Sequence, residues 1–476
     1  MLADNTFSLN RESFYRPTPT FPAGAMLKLE WSAGTVLLRG EAPPLVRAYF
    51  KWDPRVRCYR ALAIQYRWIV ETLRMLGVEF EDDVLHPPPC HLAPRELPLR
   101  DYQREALEAW LRERRGVIVL PTGAGKTLVA IAAIAKLARP TLIVVPTLEL
   151  MDQWEENVKR HLGVAPGRYG GGEKSVACVT IATYDSAYIN AEQLGDKFEL
   201  IVFDEVHHLP SPGYRQIAEL CAAPWRMGLT ATPEREDGLH ELLPYLVGPV
   251  VYRRYVREMA GRWLAEFDVI RIYAHMSERE REEYAKLTET YRGFLRKRGL
   301  SMRSPRDFEK LVAMSVRDAE AREALLAWYR ARRIALHASM KLDVLRDLLA
   351  KHRGDKVLIF AEHGDVVRAV SSRFLIPEIT YKTPEEERRA VLAAFREGRV
   401  RAIVTSRVLE EGVDVPDANV AIILSGTGSR REFIQRLGRI LRPREGKRAV
   451  LYEVVTSGTK EVGIARKRRK ALEGEG

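Results

Sequence analysis

A short β-branched run at 116–120 leads into Pro121-Thr122-Gly123-Ala124-Gly125-Lys126-Thr127, and a helix-forming stretch follows at 127–137. This junction constrains the fold more than any other part of the chain. Gly123 and Gly125 free the backbone to turn its N–H groups inward, and the helix start adds its positive dipole end, so the turn is suited to phosphate. Such a turn needs a buried parallel strand before it and a helix packed on the same sheet after it. Thr122, Gly123, Ala124 and Gly125 form the expected cradle. Lys126 would neutralise β- and γ-phosphate charge, and the Thr127 hydroxyl is a candidate ligand for Mg²⁺ beside ATP. Leu120 stands where the strict phosphate-loop pattern has Gly, so the match is to a shortened form.

The surrounding chain supports an α/β reading. Apolar runs at 141–145, 176–182 and 200–203 read as buried parallel strands, with amphipathic helices at 127–137 and 148–161 between them. The rhythm resumes with strands at 357–360, 402–404, 420–424 and 449–454. Between the two lie stretches rich in Glu, Arg, Ala and Leu, 278–298 and 305–331, which predict long exposed helices. Ahead of everything, strand-like pieces at 28–38 and helical spacing over 61–76 suggest a small α+β domain. His86-Pro87-Pro88-Pro89 reads as a stiff spacer after it. The expected division is 1–89, 90–250, 251–333 and 334–476: an N-terminal domain with its linker, a first α/β domain, a helical insertion and a second α/β domain.

The partner of the phosphate loop is Asp204-Glu205-Val206-His207, at the end of the strand 200–203. A carboxylate at a strand's C-terminal end faces the same crevice as the loop. Asp204 is the candidate metal holder, through water, and Glu205 the group that polarises an attacking water. Adjacent His207 and His208 are poorly placed to share one metal and suit hydrogen-bonded coupling. Arg100-Asp101-Tyr102-Gln103 precedes the first strand; Gln103 is expected on an adenine edge, with Tyr102 or Arg100 packed on the ring. Thr230-Ala231-Thr232, after the apparent strand 226–229, offers two hydroxyls near the crevice. Thr147 and Gln153-Trp154, opening and lining the helix 148–161, suit a nucleic-acid phosphate.

Charge narrows the choice of partner. The net +12 is not spread evenly: residues 97–250 hold 16 basic against 20 acidic groups, and residues 251–333 hold 20 against 13. Residues 1–96 are close to balanced, at 12 against 11. A polyanion partner would therefore lie along the insertion, the second α/β domain and the basic tail 466–470. No apolar run approaches the roughly 20 residues of a membrane span, and the N-terminus has no secretory pattern. Cys58, Cys90, Cys178 and Cys221 lack any metal-ligand spacing and are expected as buried free thiols in a reducing cytosol.

With these motifs in hand the chain resembles superfamily-two helicases. Gln435-Arg436-Leu437-Gly438-Arg439-Ile440-Leu441-Arg442 resembles their arginine-finger helix, with Arg439 and Arg442 about one turn apart on one face. Residues 408–415 (VLEEGVDV) resemble the segment that links nucleotide state to nucleic acid, through Gly412 and Asp414, and Thr405 starts the loop before it. Within the superfamily the chain is similar to the XPB family of DNA repair and transcription helicases. Asp204–His207 matches that family's DEVH form, and Arg235-Glu236-Asp237 resembles its RED motif. The insertion takes the place of the family's thumb and the N-terminal region that of its damage-recognition domain.

The resemblance implies two RecA-like motor domains and an ATP-driven motor on DNA. Lys126, Thr127, Asp204 and Glu205 would act from one side of the nucleotide and Gln435, Arg439 and Arg442 from the other. Thr147, Thr230, Thr232, Arg235, Glu236, Asp237 and Thr405 are the expected DNA-binding or DNA-opening positions. Contact would be mostly to the phosphates of duplex or forked DNA, with a nuclease as a plausible partner protein, no membrane, and a prokaryotic cytoplasmic setting near the nucleoid. Three alternatives stay open on the motifs: an RNA helicase, the motor subunit of a restriction system, and a damage-binding scaffold whose ATPase core only switches conformation.

Overall fold

The computed structural model describes residues 26–235, 237–302, 305–406, 418–425 and 448–466. Glu236, Gly412, Asp414, Gln435, Arg439 and Arg442 lie outside the described residues, as does the tail beyond Arg466.

The N-terminal sheet is built from β1 (Leu27–Ser32), β2 (Thr35–Arg39), β3 (Lys51–Asp53), β4 (Cys58–Leu62) and β5 (Phe80–Asp83). Its order is β3-β4-β2-β1-β5, antiparallel apart from the β1–β5 pair. Helix Tyr66–Met75 lies on it and buries Tyr66, Ile69, Val70 and Leu73, the spacing of one helical stripe. The helix expected over 61–76 thus starts later, because Ala61 and Leu62 complete β4 and a 3₁₀ turn, Ala63–Gln65, makes the corner.

The second sheet contains β6 (Arg115–Val119), β7 (Thr141–Val145), β8 (Gly167–Gly170), β9 (Glu173–Lys174), β10 (Val179–Thr183), β11 (Leu200–Asp204), β12 (Trp225–Thr230) and β13 (Val250–Arg253). The order is β13-β6-β12-β11-β7-β10-β8-β9, parallel throughout except for the β8–β9 hairpin. Fully buried β6, β7, β10 and β11 explain their continuous apolar runs: both faces carry helices. The third sheet joins β14 (Glu266–Ala274), β15 (Val357–Phe360), β16 (Glu378–Ile379), β17 (Ala402–Thr405), β18 (Val420–Ile423) and β19 (Arg448–Thr456). It is parallel, in the order β14-β19-β18-β15-β17-β16.

The segment expected as a helical insertion, 251–333, is therefore divided among three bodies. β13 closes the edge of the second sheet, and β14 runs beside β19 for nine residue pairs in the third. The charges in EFDVIRIYA hid a strand, and the pairing draws in Arg271, which meets the wholly buried Glu453 at 3.0 Å. Besides a short helix at Val256–Met259, the helical part of the segment is Glu278–Lys297, Pro305–Ser315 and Ala319–His337. The single helix expected over 305–331 breaks because Asp318 caps a new start, accepting from the N–H groups of Glu320 and Ala321. These helices enclose a small core of their own around Tyr291, Phe294 and Leu311. No helix among the described residues is long and apolar enough to cross a membrane.

The N-terminal domain is docked closely on the second sheet's domain. The Trp68 ring stacks on Tyr245 with centroids 6.3 Å apart, and the Arg115 guanidinium sits 4.5 Å from the Trp68 ring centre. A Cβ on Gly34, whose φ is +77°, would lie 2.8 Å from Leu220, so the turn between β1 and β2 can approach only as glycine. Beneath this contact Arg226 is wholly buried and donates to four main-chain carbonyls, those of Ala218, Cys221, Ala223 and Leu246.

The proline spacer is strapped down along this body. His86 N–H donates to Asp196 O at 2.8 Å, Ala93 N–H to Leu162 O and Arg95 N–H to His161 O. Cys90 and Cys178 form a disulfide, 88 residues apart in sequence, which corrects the expectation of four free thiols; Cys58 and Cys221 are the free, buried pair. Spacing could not reveal the bond, because folding alone brings these two positions together. Closing a loop of this length restricts the unfolded chain by about 4–5 kcal/mol at most. The Cys90→Ser variant is expected to be about 2–4 kcal/mol less stable under oxidising conditions, read by denaturant unfolding. Addition of a reductant should bring the parent chain to the same midpoint as the variant.

Candidate nucleotide and nucleic-acid site

The end of β6 feeds the phosphate loop, and Gly123 and Gly125 take φ of +83° and +73°, the left-handed region that these positions require. Gly125 caps helix Lys126–Leu137. Behind the loop stands helix Asp101–Glu113, whose Gln103 is buried. The Gln103 amide donates to Ala124 O at 3.1 Å and Gly125 O at 3.3 Å, while its carbonyl accepts from Arg100 N–H at 2.9 Å. Tyr102 Oη donates to Ala124 O at 2.7 Å, and the residue is 1% exposed. Tyr102 is thus a brace for the loop and presents no face to an adenine, which removes one of the two ring-packing expectations. Arg100 is exposed and donates to Trp263 O; Trp263 in turn lies edge-on to Tyr102 and 4.1 Å from the Arg262 guanidinium. No sequence signal marked Arg262 or Trp263 for this corner.

Asp204 ends β11 and is 6% exposed. Burial pushes its carboxyl above the usual range; the Trp154 indole, the Lys126 ammonium and the Glu205 N–H pull it back. Trp154 Nε1 donates to Oδ2 at 2.8 Å and Glu205 N–H to Oδ1 at 3.0 Å. Trp154 was expected to line a nucleic-acid surface. Instead it is 1% exposed and holds the carboxylate from below. Lys126 Nζ rests on Leu120 O at 3.3 Å.

Past Asp204 the backbone turns sharply. Glu205 has φ of +46°, a conformation that side chains rarely adopt, and a 3₁₀ turn follows at Val206–His208. His207 Nδ1 lies 3.5 Å from Glu205 Oε2 and 3.2 Å from Thr230 Oγ1, so the buried ring bridges two strand ends. Thr230 Oγ1 also donates to Thr232 O and accepts from Thr232 N–H. Arg235 Nη1 reaches His207 O at 2.6 Å, and the same guanidinium grips Asp237 through two bonds of 2.9 and 2.6 Å. That bidentate pair holds the Asp237 carboxyl down at about 2. The expected DNA-opening role for this tripeptide thus meets a guanidinium already committed within the chain.

The other expected positions separate. Thr147 caps helix Leu148–Leu162, accepting from Leu150 N–H. Thr405, at the end of β17, is fully buried and donates to Ile379 O and Ser406 O, so its hydroxyl hydrogen is already used. Arg388 of the third sheet's domain approaches Glu149 in the first turn of helix Leu148–Leu162, at 3.6 Å, a contact across the two α/β bodies that no motif announced. The Thr122 and Thr232 hydroxyls are buried without a hydrogen-bond partner. Buried hydroxyls seldom stay unpaired, so both fit the edge of a phosphate site. The donor set suits ATP: turned backbone N–H groups, a lysine and two buried, unpaired hydroxyls.

Comparison with known proteins points to a family. The pattern of the ERCC3/RAD25/XPB C-terminal helicase matches residues 329–476, and that of the xeroderma pigmentosum group B helicase damage recognition domain matches 29–84. The pattern of the type III restriction enzyme res subunit matches 96–235. A DNA 3'-5' translocase XPB2 from Sulfurisphaera tokodaii is 46% identical over 94% of this chain and 100% of its own length. The chain belongs to the XPB family. It is a DNA helicase with an ATP-hydrolysing motor. A DNA 3'-5' helicase XPB from Mycobacterium tuberculosis is 32% identical over 88% of this chain and 70% of its own length. The fold is also that of the Pyrococcus furiosus Hef helicase domain, with a TM-score of 0.52 at 19% identity over 78% of this chain and 98% of that one.

Trp154→Phe keeps the volume under Asp204 but deletes its indole donor. A hydrogen bond to a charged group contributes about 1.5–3 kcal/mol to stability, so Tm should fall, and kcat for ATP hydrolysis should fall about 10-fold where the carboxylate loses its aim. An unchanged kcat would remove Trp154 from the site.

Proposed function

We propose that this XPB-family helicase moves 3'-5' along DNA and opens or remodels duplex during excision repair or transcription. ATP is bound by Thr122–Thr127 and hydrolysed beside Asp204 and Glu205. The polarity is that of its relatives, a DNA 3'-5' translocase and a DNA 3'-5' helicase, and the roles follow the motifs. The observation that carries the reading is the convergence of Lys126, Asp204 and Thr230–Thr232 at the ends of three neighbouring strands, β6, β11 and β12. A Mg²⁺ ion held by Thr127 and, through water, by Asp204 would screen the charge of the β- and γ-phosphates.

Each residue then has a defined task. Lys126 leaves Leu120 O for phosphate oxygen. Glu205, aimed by its left-handed backbone and by His207, orients the attacking water. His207 and Arg235 pass the state of the Glu205 loop to Thr230–Thr232 and to the segment at 235–237. Arg439 and Arg442 would complete the charge stabilisation from the second motor domain. Helices Glu278–Lys297 and Ala319–His337 would lie along the duplex as the thumb. DNA contacts would be mainly to phosphate and salt-sensitive. A nuclease partner belongs to this reading on family resemblance.

Lys126→Ala should abolish DNA-stimulated hydrolysis and leave DNA binding nearly intact, measured by phosphate release and by fluorescence anisotropy. Full stimulated hydrolysis by that variant would sink the assignment. In the parent chain, stimulation should be strong with DNA and weak with RNA; a strand-displacement assay on forks with opposite tails reads the polarity.

A further inference from the structure

Gln103 has no donor left for a base. Its amide hydrogens go to Ala124 O and Gly125 O, and its carbonyl accepts from Arg100 N–H. The fit is close: a Cβ on Gly125 would lie 2.5 Å from Gln103 Nε2. To reach an adenine edge, Gln103 would have to release the loop that it braces. Tyr102 is buried and gives its hydroxyl to the same loop. Of the three residues that the sequence points to for the base, Arg100 alone is exposed, and its guanidinium is turned to Trp263 O at 3.0 Å. The corner is therefore completed from elsewhere in the chain.

The connector between β13 and β14 supplies the missing part. Its short helix Val256–Met259 runs into a tight turn, in which the N–H groups of Trp263 and Leu264 both donate to Met259 O, at 3.0 and 2.9 Å. Gly261 takes φ of +76°, and its N–H donates to Leu264 O at 2.9 Å. Val256, Met259 and Leu264 are buried in the same core as Tyr102, so the turn is pinned to the body that carries the phosphate loop. The pinning sets Trp263 edge-on to Tyr102, with ring centroids 5.0 Å apart at 63°. Arg262 then sits over the indole, its guanidinium carbon 4.1 Å from the ring centre. Asp101 lies 3.7 Å from the same group, yet the Arg262 side chain is still 68% exposed. One face of the guanidinium is on the indole, and the opposite face is open to solvent.

We propose that Arg262, from the connector, is the stacking platform for the base of the nucleoside triphosphate whose phosphates lie on the loop. The proposal deepens the reading of Thr122–Thr127 as the ATP site and rests on it. A guanidinium is planar and delocalised, so a plane with one face on an aromatic ring keeps the other for a second π system. Trp263 fixes that plane in advance, which lowers the entropy cost of engaging a base. The contacts run without a gap from the loop to the platform: Ala124 O to Tyr102, Tyr102 to Trp263, Trp263 to Arg262. A cover for the Tyr102 edge would need the indole but not the guanidinium. Stacking rewards the area of the base, so a purine gains more than a pyrimidine. The platform also ties the base to the segment that joins the second sheet to the third, because residues 254–265 are the chain between β13 and β14. A base on Arg262 thus bears on this segment, whereas a triphosphate without a base would load the loop alone.

The test uses the full chain with saturating duplex DNA. Phosphate release is followed for ATP, CTP and ribose 5-triphosphate, which has no base, in the parent, Arg262→Ala and Arg262→Lys. In the parent, KM should rise in the order ATP, CTP, ribose 5-triphosphate. Arg262→Ala should raise KM for ATP about 10-fold, a cation–π contact between its exposed and desolvated limits. Its kcat for ATP and its KM for ribose 5-triphosphate should stay within about twofold of the parent, the pattern of a lost binding contact to the base. Arg262→Lys keeps the charge but not the plane and should recover little. An unchanged KM for ATP in Arg262→Ala would overturn the platform. Equal rises for ATP and ribose 5-triphosphate would overturn it too, since they would place Arg262 on the phosphates or the loop. Full recovery by Arg262→Lys would show a role for charge alone, with the same consequence. If the parent lacks DNA-stimulated hydrolysis, or Lys126→Ala retains it, the ATP-site reading fails first; if both behave as expected and Arg262→Ala matches the parent, the platform alone fails.

Discussion

The candidate site depends on a carboxylate kept in a nearly dry place. Asp204 is 6% exposed, and a buried carboxylate is tolerated only when donors and a cation surround it. Its partners come from different parts of the sheet. Trp154 stands on the helix after β7, Lys126 on the helix after β6, and the Glu205 N–H follows β11 itself. β7 flanks β11 on one side, whereas β6 lies on the other side beyond β12. The carboxylate is therefore satisfied only in this strand order, and local chemistry and global topology enforce each other.

The same logic extends from Asp204 toward the loop at 235–237. His207 is buried and bridges Glu205 to Thr230, and its carbonyl is held by Arg235, which is clasped by Asp237. In a medium of low dielectric these bonds reinforce one another, and none of the groups can move without stranding its neighbour. A displacement of Glu205 has to be answered at Thr230–Thr232 and at Arg235. The hydroxyl of Thr232, buried without a partner at one end of this chain of bonds, has capacity for one more contact.

Much of this was legible in the sequence, for identifiable reasons. The phosphate loop announced itself because only glycine takes the φ of +83° and +73° at Gly123 and Gly125 without strain, and β6, β7 and β11 because burial on both faces makes their runs apolar; the short, partly exposed β8, β9 and β13 gave no such signal. Features that depend on contacts across the fold were not legible. Trp154 carries a polar atom on an apolar ring, and its pattern cannot tell an inward from an outward setting. Cys90 and Cys178 show no spacing signal, since their proximity is a product of folding. β14 was hidden because Glu266, Asp268 and Arg271 made a half-buried edge look like part of a charged helical stretch. Tyr102 stood beside Arg100 as an alternative for a ligand ring because the stretch around it gives no hint that its hydroxyl braces Ala124 O.

Charge shows the same limit from another direction. Sums over segments separate slightly acidic residues 97–250 from the basic residues that follow them. They also average away the first domain, where a sheet only five strands wide has a basic edge and an acidic edge. Field strength falls off over roughly a Debye length of 8–10 Å in physiological salt, so an anion at the β3 edge would experience little of the acids at β5. What matters for binding is therefore the edge and not the sum. A polarised neutral domain, fixed to its neighbour through Trp68 and Arg115, would also orient an approaching polyanion, which a uniformly basic one would not.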